Sequence, residues 1–185
     1  MLALADKRGH VYPYEEMINR SQMGTSSTFE PLIDGGIKRT SGEITQIMYL
    51  PKCSMIALLS NNVINVVDSI TCKSVQEIKN KKVQMFCVNN AIYANDIKSA
   101  QLMQQICVLT TDKTLIFYEY NGSSGQYKFE EDRAIPEKSI AIPGGTVPIQ
   151  ILWDNDLIYI SSKKGYLIFN KIDCNTILQS VALVN

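Results

Sequence analysis

The apolar positions of this chain recur in one phrase that appears four times. Each copy is an alternating apolar segment, a polar turn and a second apolar segment, at residues 2–12, 56–64, 106–116 and 158–168. Because side chains alternate between the two faces of a β-strand, the phrase predicts four β-hairpins. The turns are expected at residues 6–9, 60–62, 111–113 and 162–165. The residues predicted to be buried are Ile56, Leu58, Ile106, Val108, Ile158 and Ile160.

The spacing of the four copies indicates a repeat. Their equivalent residues are Ala3, Ala57, Cys107 and Tyr159, which lie 54, 50 and 52 residues apart. Further strands are predicted before the hairpins at residues 44–49, 83–88 and 149–153, and after them at 74–78, 127–129 and 177–181. A period of about 50 residues, filled by four strands, is typical of a β-propeller blade. We therefore expect an all-β, WD40-like partial β-propeller.

The predicted blades cover residues 1–18, 44–79, 83–130 and 147–183, which is about three and a half to four blades. Closed propellers typically have about four to eight blades, so we expect this chain to be part of a longer propeller. Strand edges that are left open pair with other chains. Alone, the 185 residues are therefore expected to associate, and completing the ring should suppress this.

Two segments interrupt the repeat. Residues 19–43, which are polar and contain Gly35-Gly36, are predicted to form a surface loop. The loop is either a mobile connection without a further role, or a loop that is phosphorylated or binds a partner. Residues 91–105 are predicted to be an insertion between the first two strands of the third blade. In that insertion Ile97, Leu102 and Met103 would form a helical turn or lie flat on the blade.

Composition narrows the classes of partner. Eighteen basic residues balance eighteen acidic ones, so no net field favours nucleic acid or an anionic bilayer. The densest basic cluster, Lys79-Asn80-Lys81-Lys82, is read as a solvated turn, with contact to an anionic membrane as the alternative. The chain shows neither a signal-peptide pattern nor a run of about eighteen apolar residues, so we expect a cytoplasmic protein that reaches membranes through partners.

The cysteines point to a reducing compartment. They are odd in number and contain no Cys-x-x-Cys pair, and free cysteine in an apolar run behaves as a small buried hydrophobe. The sequon Asn121-Gly122-Ser123 is contrary to this, but Asn-Gly between strands is more simply a tight turn. The five cysteines are Cys53, Cys72, Cys87, Cys107 and Cys174.

Candidate catalytic residues are few. His10 is the only histidine, and a catalytic triad or a histidine metal site would have to be built around it at the end of a hairpin turn. Asp68 and Asp173 both begin an Asp-x-x-Thr sequence, which favours a structural Asx-turn. Gly144-Gly145 matches no phosphate-binding loop. We therefore expect no catalytic, cofactor-binding or metal-binding residues and no enzymatic activity.

Trp153-Asp154 has the residues of a WD dipeptide but not its position, because it precedes the hairpin and no Gly-His pair lies upstream of it at the WD-repeat spacing. Trp153 is predicted to pack between blades, and Asp154-Asn155-Asp156 to form a turn.

Four segments resemble the citron homology (CNH) domain, and in particular the amino-terminal propeller of the vacuolar protein sorting protein 39 and TGF-beta-receptor-associated protein families. The segments are Leu2–Tyr12, Met55–Asp68, Gln105–Val108 leading to Leu115–Tyr118, and Pro148–Tyr159. The resemblance implies a non-catalytic subunit of the HOPS or CORVET tethering complexes. Such a subunit binds Rab-type GTPases and other tethering subunits, and acts peripherally on late endosome, vacuole and lysosome membranes.

Two other functions stay open at this point. One is a CNH domain of a kinase or a Rho exchange factor that binds small GTPases at the cell cortex. The other is a propeller hydrolase whose acid and base residues lie in further blades. The sequence on either side of these 185 residues separates them, since helical repeats after Asn185 favour tethering and a kinase or exchange domain would precede Met1.

Overall fold

The computed structural model describes residues 2–21, 24–31, 36–78, 82–93, 103–121, 128–132, 138–140, 142, 146–173 and 177–182. Within these ranges the chain forms seventeen β-strands and one short 3-10 helix, η1 (Asn90–Tyr93). The chain divides into two compact units, Met1–Tyr49 with Ser54–Lys79, and Leu50–Cys53 with Asn80–Asn185. Each unit contains two antiparallel sheets.

The first unit holds sheets one and two. In sheet one β2 pairs with β1, β3 and β4, and sheet two is a meander in the order β5-β6-β7-β8. The bounds of the first four strands are β1 (Leu2–Ala5), β2 (His10–Ser21), β3 (Gly24–Pro31) and β4 (Ile37–Lys38). Those of the next four are β5 (Ile44–Leu50, its last residue in the second unit), β6 (Met55–Ser60), β7 (Val63–Asp68) and β8 (Ser74–Ile78).

The second unit holds sheets three and four. Sheet three has the order β9-β10-β11-β12, with β13 also paired to β11, and sheet four is the meander β14-β15-β16-β17. The strands of sheet three are β9 (Val83–Val88), β10 (Gln105–Thr110), β11 (Thr114–Asn121), β12 (Lys128–Glu131) and β13 (Lys138–Ser139). Those of sheet four are β14 (Pro148–Asp154), β15 (Leu157–Ser162), β16 (Gly165–Asn170) and β17 (Ile177–Ala182).

All four predicted hairpins are confirmed, as β1-β2, β6-β7, β10-β11 and β15-β16. They share a turn residue with positive φ: Gly9 (83°), Asn62 (63°), Lys113 (64°) and Gly165 (141°). A Cβ on Gly165 would overlap the carbonyl oxygen of Val181 on the paired strand, so only glycine fits there. Asparagine tolerates the left-handed region, which explains the absence of glycine at Asn62 but not at Lys113.

The predicted core is also confirmed, since all six residues are at most 1% exposed. In the first unit the face of sheet two that carries Ile56 and Leu58 packs with Val11 of sheet one. In the second unit Ile158 and Ile160 of sheet four pack with Leu109 of sheet three. Each sheet is thus held to its neighbour within the unit by side chains from alternate strand positions.

The polar segment at residues 19–43 differs from its prediction. β2 continues to Ser21, so sheet one extends beyond the predicted blade end at residue 18. The segment predicted to be a loop also supplies two strands that pair with β2, namely β3 (Gly24–Pro31) and β4 (Ile37–Lys38). Sheet three repeats this arrangement, because β12 pairs with the end of β11 and β13 with its beginning. In both sheets the strand position next to β2 or β11 is divided between two short segments, so the sequence there shows no continuous alternation of apolar residues.

The predicted insertion at residues 91–105 falls between β9, which ends at Val88, and β10, which begins at Gln105. η1 occupies its first part. Ile97 and Leu102 lie outside the described residues.

Candidate functional site

His10 belongs to a hydrogen-bonded cluster around Asp6 at the β1-β2 turn. The Asp6 carboxylate accepts hydrogen bonds from the backbone N–H groups of Arg8 and His10, both at 2.8 Å, and from the Tyr12 hydroxyl at 3.0 Å. The His10 Nδ1 lies 3.1 Å from Asp6 Oδ2. These contacts give His10 a structural partner in the turn, as expected for a residue that closes a hairpin.

The same contacts predict a pH dependence of stability. The backbone N–H of His10, followed by the Tyr12 hydroxyl and the backbone N–H of Arg8, lowers the pKa of Asp6 to about 2. A carboxyl whose pKa is lower in the folded state stabilises the fold above its unfolded pKa, and this is lost as the pH falls toward the folded pKa. We expect the melting temperature to fall between about pH 4 and pH 2, and Asp6→Asn to flatten this slope. Circular dichroism melts of both proteins across this range test it, and parallel slopes would contradict it.

His10→Ala is expected to leave the metal content of the purified protein unchanged. Among the described residues no group of three or more His, Cys, Asp or Glu side chains is placed to hold a metal ion. Elemental analysis of the wild-type protein and the variant checks this. Stoichiometric zinc or another transition metal that is lost in the variant would overturn it.

Asp68 forms the predicted Asx-turn. Its Oδ1 accepts hydrogen bonds from the backbone N–H groups of Ile70 at 3.2 Å and Thr71 at 2.7 Å, and from the Thr71 hydroxyl at 2.7 Å. The backbone N–H and the hydroxyl of Thr71 are the main causes that lower the pKa of Asp68. The carboxylate is thereby used to shape the turn. For the second copy, Cys174–Thr176 lie outside the described residues.

Trp153 packs between sheets three and four as predicted. The side chain is 1% exposed, and its ring meets Phe117 of β11 edge-on, with 5.3 Å between ring centroids. Its Nε1–H donates to the Asn155 carbonyl at 2.7 Å, within the predicted turn between β14 and β15. Trp153 therefore stabilises the packing of two sheets and fixes the turn that joins two strands of sheet four.

Asn89 is a buried polar residue that the sequence pattern did not identify. Its Oδ1 accepts hydrogen bonds from the backbone N–H of Ala91 at 3.1 Å and of Asn155 at 3.2 Å, and its Nδ2 donates to Gln105 at 3.0 Å. These bonds connect sheet three to the β14-β15 turn of sheet four. A single polar residue after an apolar strand carries no periodic signal, so its role follows only from the packing.

The cysteines and the remaining motifs show no assembled site among the described residues. Cys72, Cys87 and Cys107 are buried, Cys53 is partly buried, and no disulfide joins any two of these four. Burial raises the pKa of Cys72. From the basic cluster only Lys82 is described, at an exposed position with φ 61°. Cys174, Gly144-Gly145 and Gly122-Ser123 lie outside the described residues.

A polar cleft of about 240 Å³ lies in the first unit, between the β6-β7 hairpin and the segment that precedes β5. Two of its buried polar atoms, Arg39 Nε and Ser60 Oγ, have no hydrogen-bond partner. Neither residue was predicted to take part in a site: Ser60 entered the sequence analysis only as part of the predicted turn at residues 60–62, and Arg39 as part of the polar segment at residues 19–43. The polar residues of this cleft are Arg39, Thr40, Ser41, Ser60, Asn61, Asn65 and Glu77.

Sheet four has one buried face and one exposed face. Trp153, Ile158 and Phe169 fill the buried face, whereas Leu152 is 41% exposed and Tyr166 39% exposed on the opposite side. A mainly apolar groove of about 360 Å³ runs along this exposed face. We call it the apolar face; it is lined by Gln150, Leu152, Tyr159, Ser161, Tyr166 and Ile168.

The comparisons with known proteins identify a fold but no family. The sequence matches no family model and no curated protein. The structure is similar to that of BBS1N in complex with ARL6DN, with a TM-score of 0.57 and 13% identity over 98% of this chain and 49% of that one. It is also similar to the Neurospora crassa Pan2 WD40 domain, with a TM-score of 0.52 and 9% identity over 97% of this chain and 48% of that one.

A third similar structure is Kluyvelomyces marxianus Hsv2, with a TM-score of 0.51 and 12% identity over 97% of this chain and 57% of that one. The chain thus spans about half the length of the chains that it resembles. The four sheets and these similarities define the fold class: the chain is an all-β, WD40-like partial β-propeller. Among the described residues no helix is long and apolar enough to cross a membrane.

Proposed function

We propose that this chain is a non-catalytic platform for binding other proteins. The fold carries the proposal, because repeated four-stranded antiparallel sheets present many loops from a rigid frame, and recognition residues concentrate on such loops. One of the similar propeller structures was determined in complex with another protein, ARL6DN. The place of His10 and Asp68 in structural turns supports the non-catalytic part of the proposal.

The more specific proposal is a subunit of a HOPS- or CORVET-type tethering complex. It binds a Rab-type small GTPase and other tethering subunits, and acts in docking and fusion at late endosome, vacuole and lysosome membranes. The subunit is cytoplasmic and lies peripherally on these membranes, which it contacts through its protein partners. Nucleic acid is not among its partners. The support is the resemblance to the CNH domain, whose matching segments lie on the hairpins β1-β2, β6-β7 and β10-β11 and on the strand pair β14-β15.

The decisive experiment measures binding of the purified chain to GTPases in defined nucleotide states. Biolayer interferometry compares late-endosomal Rab-type GTPases with Rho-type GTPases, each loaded with a non-hydrolysable GTP analogue or with GDP. Binding that is selective for a Rab-type GTPase in its GTP state is expected. The GDP-loaded form of the same GTPase is the matched control, because it presents the same protein without the active switch conformation.

Other outcomes separate the alternatives. Selective binding of Rho-type GTPases would favour the CNH domain of a kinase or exchange factor. Hydrolase activity toward ester or glycoside substrates that copurifies with the chain, whether or not it survives His10→Ala, would contradict the non-catalytic platform. A folded chain that binds neither class of GTPase nor any purified tethering subunit would refute the tethering assignment.

A further inference from the structure

The polar cleft of the first unit contains two buried donors that lack a hydrogen-bond partner. Among the described residues only three buried side-chain polar atoms lack a hydrogen-bond partner, and two of them, Arg39 Nε and Ser60 Oγ, belong to residues that line this cleft. The residue Ser60 is only 3% exposed. Buried polar groups are normally paired, so two exceptions at one place call for an explanation such as a ligand.

The cleft is built by backbone and side-chain bonds that do not use those two atoms. The N–H groups of Arg39 and Thr40 donate to the Gly9 carbonyl at 2.8 Å and 3.3 Å, which ties the segment before β5 to the β1-β2 turn. On the other side Asn61 Nδ2 donates to Ser41 Oγ at 3.3 Å and joins this segment to the β6-β7 turn. The walls are therefore held in place, and the two donors are left available.

The chemistry of these atoms selects an anion. A guanidinium is protonated at all relevant pH values and has donors only, so its partner must be an acceptor. A serine hydroxyl adds a second donor, and charge-assisted hydrogen bonds to an oxyanion are stronger than those to a neutral acceptor. Glu77 is the one acidic residue of the cleft, and it is exposed, where solvent screens its charge.

We propose that the polar cleft binds an oxyanion, such as a phosphate or carboxylate group, through Arg39 and Ser60. The cleft has room for the group together with its water, because about 240 Å³ corresponds to roughly eight water molecules. This inference is independent of the proposed tethering function, since it rests on the donors of the first unit alone.

The test is a titration followed by nuclear magnetic resonance. Uniformly ¹⁵N-labelled protein is titrated with sodium phosphate, and separately with sodium acetate, at constant ionic strength maintained with sodium chloride. The Arg39 Nε–H signal, assigned by its loss in Arg39→Lys, is expected to shift and saturate with at least one of the two anions. Saturation by phosphate alone indicates a phosphate group, and saturation by acetate alone a carboxylate.

Variants determine whether the binding occurs in the cleft, with the backbone amide signals as the common readout. Arg39→Gln is expected to abolish saturation, and Ser60→Ala to weaken binding about threefold to tenfold. Glu77→Gln should tighten it, because it removes the only acidic side chain that lines the cleft. Lys38→Gln is the matched control: it removes the same charge from the exposed neighbouring residue, which does not line the cleft, and should bind like the wild type.

Two results would overturn the proposal. One is the absence of a saturable shift with either anion in the folded protein, which would mean that water satisfies the two donors. The other is an equal response of Arg39→Gln and Lys38→Gln, which would show that the anions act on surface charge in general.

Discussion

Replacing Trp153 with alanine is expected to lower the free energy of unfolding by about 3–5 kcal/mol. The side chain is 1% exposed, packs edge-on against Phe117, and donates its Nε1–H to the Asn155 carbonyl. The variant loses the buried ring, leaves a cavity between sheets three and four, and removes the donor of that carbonyl. Urea unfolding should be followed by far-UV circular dichroism, because Trp153 is the only tryptophan and its fluorescence disappears with the substitution.

Leu152→Ala is the matched control for this effect. Leu152 is the adjacent residue on β14, but it lies on the exposed face of sheet four and is 41% exposed. Its truncation should cost about 1 kcal/mol or less. Equal losses of unfolding free energy in Trp153→Ala and Leu152→Ala would contradict the assignment of the Trp153 face of sheet four to the core.

The apolar face is expected to make the isolated 185-residue chain self-associate. Leu152 and Tyr166 expose apolar surface on a sheet, and contiguous exposed apolar surface promotes association. Static light scattering at increasing protein concentration should show at least a doubling of the apparent mass over the 20.7 kDa of one chain. The double variant Leu152→Lys, Tyr166→Lys should stay close to the mass of a monomer, because two charges on this face oppose burial.

A second double variant separates this face from exposed apolar residues in general. Ile70 and Ile172 are 64% and 68% exposed and do not line the apolar face. Ile70→Lys, Ile172→Lys therefore adds the same charges and should associate like the wild type. A wild-type chain that remains monomeric at all concentrations, with a sharp cooperative melt, would contradict both this prediction and the expectation that an open propeller associates.

Short-range patterns identified the hairpins because backbone pairing and alternation act over a few residues. The four turns and the Asx-turn at Asp68 are decided by neighbours within one turn, and the alternation that marks the six core residues runs along single strands. Since the same phrase recurs at a nearly constant spacing, its repetition also predicted the fold class. The physical basis is that successive side chains of a strand point to opposite faces of the sheet, so alternating apolar residues lie on the same, buried face.

The polar segment at residues 19–43 shows where this reasoning fails. β3 and β4 pair with β2 through backbone hydrogen bonds, which do not depend on an apolar side chain, and Thr28 and Glu30 are exposed on β3. A strand with exposed polar side chains has the composition of a loop. The pairing partner, and not the local sequence, decides that such a segment becomes a strand.

The sequence by itself determined the all-β class, the four hairpins, their turns and the core face of each. Only the tertiary structure decided which polar residues became important: Asn89 as a link between sheets three and four, and Arg39 and Ser60 as donors in one cleft. Arg39 and Ser60 are 21 positions apart, and Asn89 and Asn155 are 66 positions apart. Hydrogen bonds and clefts of this kind depend on the meeting of distant segments, and no local periodicity encodes that meeting.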